Sequence, residues 1–156
     1  MFHQLAFYIS VIFHPVFLFF YAFNFFLFTN YSFFFIHQQI TFYVDGFIFI
    51  TSAALPAAFI LWAFKDLFFK ERAGRYLPIL TAMVFYGLTY IVLAQIPFPA
   101  FLHNYLLALI IGLGIVMGLN TLLKVSLHTF GAGSLVGLFF YLFYAHYPEI
   151  FYPLVG

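Results

Sequence analysis

Apolar residues in this chain run in long continuous blocks, and polar residues gather between the blocks instead of alternating with them. The blocks lie at about 5–28, 42–64, 77–96, 105–123 and 129–145. Each is close to the roughly 20 apolar residues that a helix needs to cross hydrocarbon. Continuous blocks favour helices over a barrel, because a helix satisfies its own N–H and C=O groups while barrel strands alternate. The expected fold is an all-α integral membrane helical bundle, a single transmembrane domain of about five helices. Residues 148–156 form an apolar stub that reads as the start of a sixth. No basic segment precedes the first block and no small-residue cleavage site ends it, so it reads as a retained span and not a signal peptide.

The punctuation between blocks is specific. Thr29, Asn30, Tyr31 and Ser32 make a polar turn, and His37, Gln38 and Gln39 continue a connector. Asp45 and Gly46 stand where the second block begins. Pro78 opens the third, where a missing N–H costs nothing. Pro97, Pro99, His103 and Asn104 are expected to form a tight connection. Gly114 with Gly118, and Gly133 with Gly137, are spaced i, i+4, which predicts flat strips for helix–helix packing.

Composition sharpens this picture. The chain is 67% apolar and 6% charged, with a mean hydropathy of +1.12. A soluble domain carries about a quarter charged residues, so lipid is the expected solvent and membrane lipid the expected partner. A net charge of +1 argues against nucleic acid, which needs many clustered cations. The absence of cysteine removes disulfides, thiolate metal sites and a thiol nucleophile. His3, His37, His103 and His146 are scattered without ligand spacing, so no metal and no cofactor is assigned. Nothing in the sequence picks out a protein partner.

Charge also has a side. Lys65, Lys70, Arg72, Arg75 and Lys124 all fall after the second and fourth blocks, hence on one face of the membrane. The positive-inside rule would make that face cytoplasmic. A phosphate site built from the same residues would confound the rule, so orientation stays open.

The candidate chemistry is Lys124-Val125-Ser126-Leu127-His128-Thr129, followed by Gly131 and Gly133. An ammonium, a hydroxyl and an imidazole at a helix start make an anion pocket in miniature, supported by free N–H groups and the helix dipole. The bland account is equally concrete: Lys124 snorkels to the interface while Ser126 and His128 cap a helix. Around the second connector, Lys65, Arg72 and Arg75 read either as a topology-fixing basic loop or as partners for Lys124 around one anion.

Lys124 to Gly133 resembles the middle motif of the type 2 phosphatidic-acid phosphatase superfamily, in a divergent branch of small membrane proteins carrying Lys-x-Ser-x-His. His14-Pro15, Thr51 to Pro56, Arg72 to Pro78 and Asn120 resemble that branch more loosely. The resemblance implies metal-independent hydrolysis of a lipid phosphate or diphosphate ester through a phosphohistidine. Ser126 and Lys124 would hold phosphate, and His128 would protonate the leaving alcohol. Lys65 and Arg72 have the seven-residue spacing of the first motif, with Ala73 where a Pro is usual. Arg75 with Pro78 is the rival placement. Val125 and Leu127 replace the Pro and Gly of the middle motif. The third motif should supply an Arg, a His nucleophile and an Asp, yet no Arg, Lys or Asp follows His128. The expectation is a C-terminally truncated family member or an incomplete gene, in a bacterial inner membrane. A non-catalytic membrane scaffold or packing partner is the alternative. A small transporter ranks last, since only His14, Asn24 and Asn120 are available to line a path.

Overall fold

The computed structural model of the chain describes residues 15–29, 38–64, 74, 76–123 and 125–144. Among these, every regular element is helical. A 3-10 turn at Pro15–Phe17 leads into α1 (Leu18–Thr29). The rod α2 is continuous through Gln38–Phe49, a π turn at Ile50–Ala54, and Leu55–Phe64. Then come α3 (Tyr76–Leu93), α4 (Ala100–Leu119) and α5 (Leu127–Tyr144). Among the described residues, one α-helix falls in each apolar block.

Prolines set the irregularities. Pro15 opens its turn, where no N–H is needed. Pro56 lies inside α2, where it can donate nothing to the Ser52 carbonyl and its ring crowds that carbonyl. The turn before it widens, and Leu55 N–H reaches Ile50 O, five residues back. The Thr51 and Ser52 hydroxyls donate to the Phe47 and Ile48 carbonyls at 2.8 and 2.6 Å. Hydroxyls and local π turns are the usual means of keeping a Pro-containing membrane helix satisfied.

The ends of α4 differ from expectation. Pro99 takes an extended ψ of 122° at the N-cap, and its carbonyl accepts the N–H groups of Leu102 and His103, both at 3.1 Å. The helix therefore starts at Ala100, and His103 and Asn104 belong to it, not to the connector. His103 Nε2–H donates to Tyr90 O at 3.2 Å, and the two rings stack with centroids 3.9 Å apart. That imidazole fastens the α3–α4 turn. At its other end α4 stops at Leu119, and the chain continues in tighter turns, with Thr121 N–H on Gly118 O and Leu122 N–H on Leu119 O.

Helices α2, α3, α4 and α5 stand in an arc, and α1 fills its hollow side. Thr89 Oγ1 of α3 lies 2.9 Å from Thr51 Oγ1 and 2.8 Å from Phe85 O, with one proton to share between them. Because Thr89 is near the end of α3 while 55–64 still packs along it, α2 and α3 run antiparallel. The short turn at 94–99 makes α3 and α4 antiparallel too.

Phenylalanines hold α1 in place. Phe19, Phe23 and Phe26 are at most 1% exposed. Phe20 meets Phe49 of α2, Phe26 meets Phe101 of α4, and Phe25 meets Phe139 of α5, all edge-on at 4.8–5.1 Å. Tyr86 of α3 donates to Val16 O at 3.2 Å. Helices in lipid gain no hydrophobic free energy by associating, so ring contacts of about 0.5–1.5 kcal/mol each matter here.

The outside of the bundle is as apolar as the inside. Phe42, Trp62, Ile91, Ile111 and Ile115 are all well exposed. Three stretches, Ile40–Ala63, Tyr76–Leu93 and Ala100–Leu119, are long and apolar enough to cross a membrane, and at most 39% of any of them is buried. Leu18–Leu27 and Leu127–Tyr141 are shorter apolar helices. Contiguous exposed apolar surface on this scale belongs in lipid.

Close helix approach is made by glycines other than the expected pairs. A Cβ on Gly112 would stand 2.7 Å from the Phe130 ring, and one on Gly131 would stand 2.6 Å from Leu18 Cδ1. Gly118, Gly133 and Gly137 face open space, and Gly114 makes only an ordinary contact at 3.5 Å with Met83. The i, i+4 spacing marks a face without making it the place of closest helix approach. Gly131→Ala is expected to destabilise by about 1–3 kcal/mol through overpacking. Gly133→Ala should be neutral or slightly stabilising, since Gly costs about 1 kcal/mol in a helix. Thermal unfolding in detergent would measure both, and equal losses would contradict the assignment.

Candidate functional site

The alternation of directions places the end of α2, the start of α3, the end of α4 and the start of α5 on one face. Both basic connectors leave from that face, as the sequence led us to expect. Lys65, Arg72, Arg75 and Lys124 themselves lie outside the described residues, so their convergence on the α5 start is not part of the described geometry. His14, His37 and residues 145–156 also lie outside it.

Two candidate residues are described. Ser126 is the N-cap of α5: its Oγ accepts the Thr129 N–H at 3.3 Å, and its carbonyl accepts the Phe130 N–H at 3.0 Å. This is the capping role that Ser performs at helix starts. It engages a lone pair of the hydroxyl and leaves the proton available to donate. His128, in the first turn, is exposed. Directly beneath, the close approach of Gly131 to Leu18 brings the Pro15–Phe17 turn against the start of α5. The bundle thus offers a helix N-terminus, an exposed imidazole and a hydroxyl on its basic face. Such a set can bind an anion and exchange a proton.

The second polar feature went unrecognised in the sequence. Asn24 Nδ2 donates to Asp45 Oδ1 at 2.8 Å and lies 3.1 Å from Phe20 O. Asp45 is five residues inside the stretch Ile40–Ala63, or about 7–8 Å below its start. Asn24 and Asp45 each stood out as polar in an apolar block, but nothing in linear spacing says that they meet. Asn120 is buried at the C-cap of α4, at 1% exposure. Among the described residues, no group of three His, Asp or Glu could hold a metal ion.

The helical bundle and its apolar exterior define a class, that of the all-helical membrane proteins. Compared with known protein families, characterised proteins and solved structures, the chain matches none.

Proposed function

We propose that the chain is a phosphatase-like integral membrane protein whose basic face binds the phosphate of a lipid phosphate or diphosphate. The observation that supports it most is the exposed His128 in the first turn of α5, behind a Ser126 whose hydroxyl proton is still free to donate. In this reading Lys124, with Lys65 and Arg72 or Arg75, supplies charge, and His128 is the acid for the leaving alcohol. The family resemblance implies a phosphohistidine mechanism, and the 156 residues hold only the binding half of it. The bacterial inner membrane is the location this reading implies.

Binding of inorganic phosphate or vanadate to the purified chain tests it. His128→Ala and Lys124→Ala are each expected to weaken binding several-fold. Ser126→Asp keeps a good cap but sets a negative charge against the anion, so it should retain stability and lose binding. If all three variants bind like the unaltered chain, the site does not exist. A non-catalytic scaffold has one specific point in its favour, namely that the Ser126 oxygen already serves the helix. In that case Ser126→Ala should cost about 1 kcal/mol of stability and nothing else.

The same reading requires five spans with both basic connectors on one side. The chain has no cysteine, so single cysteines can be introduced without removing any. Cysteines at positions 70 and 124 should both react with an impermeant thiol reagent from the same side of the membrane. Labelling from opposite sides would exclude the shared face.

A further inference from the structure

Where α4 and α5 separate, toward the α3–α4 turn, they leave a cleft of about 390 Å³. A cavity of this size with a mostly apolar wall and few polar groups is typical of a small-ligand site. Its wall includes Phe101, Asn104, Tyr105, Phe130, Ser134 and Tyr141. Gly137 keeps it open, since a Cβ there would touch nothing within 4 Å. The deep end is stopped by Phe130, whose ring lies against Gly112.

The polar groups in this wall are unequal. Ser134 Oγ donates to Gly131 O at 2.7 Å and stands 3.2 Å from Tyr105 Oη, which donates to it, so these two hydroxyls serve each other and the backbone. Asn104 has no such partner among the described residues. It sits one turn into α4, at the same end of the cleft as Tyr141, three residues from the end of α5. That depth is where interfacial side chains and lipid ester groups meet. Asn104 is exposed, so its amide is open to an acceptor at that depth.

An occupant must therefore be apolar along most of its length, with a hydrogen-bond acceptor at one end, near Asn104. Leu107 and Ile111 of α4 and Val136 and Phe140 of α5 are exposed, so these two helices meet hydrocarbon and not water on their outer sides. We propose that the cleft holds one acyl chain of a bilayer phospholipid, with its ester carbonyl accepting from Asn104 Nδ2. This lipid belongs to the leaflet opposite Ser126 and His128. It is a bound structural lipid, distinct from any phosphate ester at the basic face.

Reconstitution of the full chain into vesicles of phosphatidylcholine and phosphatidylglycerol tests this, with mild extraction and native mass spectrometry afterwards. One phospholipid per chain should be retained. Gly137→Phe fills the cleft from α5 and Ala108→Phe fills it from α4. Each folded variant, checked by circular dichroism, should retain at least ten-fold less. Asn104→Leu should lower retention several-fold, and Gly133→Phe, on an open face outside the cleft, should leave it unchanged. Equal retention in the filled variants, or no retained phospholipid in the unaltered chain, would overturn the proposal. So would a dimer that dissociates on Gly137→Phe, because it would assign the cleft to a second copy of the chain.

Discussion

Asn24→Leu is expected to cost the bundle about 3 kcal/mol, because it strips the Asp45 carboxylate of its donor within the apolar layer. The bond is short, at 2.8 Å, and joins the innermost helix to α2 across 21 residues of sequence. Asp45→Leu should cost less. It leaves a neutral amide that still has Phe20 O within 3.1 Å. The double substitution Asn24→Leu, Asp45→Leu should recover most of the loss, since it removes both members of a part-buried polar pair from the apolar layer. Unfolding in mixed micelles would rank the variants Asn24→Leu, Asp45→Leu, double, in order of decreasing destabilisation. A double variant as unstable as the sum of the singles would show that the two residues are not coupled.

The fold class was legible because one property, unbroken apolarity, suffices to dictate helices in lipid. Among the described residues, each of the five blocks contains one helix for that reason. What failed was detail that depends on a third dimension. The start of α4 was misplaced because His103 and Asn104 look like connector residues, and only the Tyr90 ring and carbonyl explain why an imidazole belongs in the first turn. The π turn of α2 was in principle readable from Pro56, which must disturb the turn before it. Its hydroxyl repair by Thr51 and Ser52 could be expected from their positions. The glycine pairs were misread because spacing identifies a face without saying what the face meets. Gly131 and Gly112 have no such signature, yet they are where Leu18 and Phe130 come closest.

The candidate site was legible to a different degree. Lys124 to His128 stood out by residue type, and the structure puts Ser126 and His128 at a helix start on the basic face. The capping bond from Thr129 to Ser126 was foreseen as the bland account. It occupies the same oxygen that a phosphate-binding role would use, although it leaves the proton. Residue types in a row cannot separate the two roles, because a helix N-terminus asks for the same donors and acceptors whether its guest is its own backbone or an anion. The Asn24–Asp45 pair had no linear signature at all.

The 156-residue chain should release no phosphate from a lipid phosphate, even with its binding residues intact. Phosphoryl transfer by this route needs an attacking imidazole opposite the leaving oxygen, and charge stabilisation alone has nothing to accelerate without it. In the proposed reading His128 is the acid on the leaving-group side. Ser126 Oγ accepts a backbone N–H and has no described base beside it. The one later imidazole in the sequence, His146, comes two residues after Tyr144, at the far end of a helix 18 residues long, or about 27 Å. Purified chain in phosphatidic-acid micelles should therefore give no release above background, and His128→Ala should change nothing. Release that falls with His128→Ala would refute this and require an attacker elsewhere. His14 would then be the first residue to substitute, because it precedes Pro15, and the Pro15–Phe17 turn packs against the start of α5. Loss of release in both His14→Ala and His128→Ala would make the pair a complete acid and nucleophile, contrary to the reading of the chain as a binding half alone.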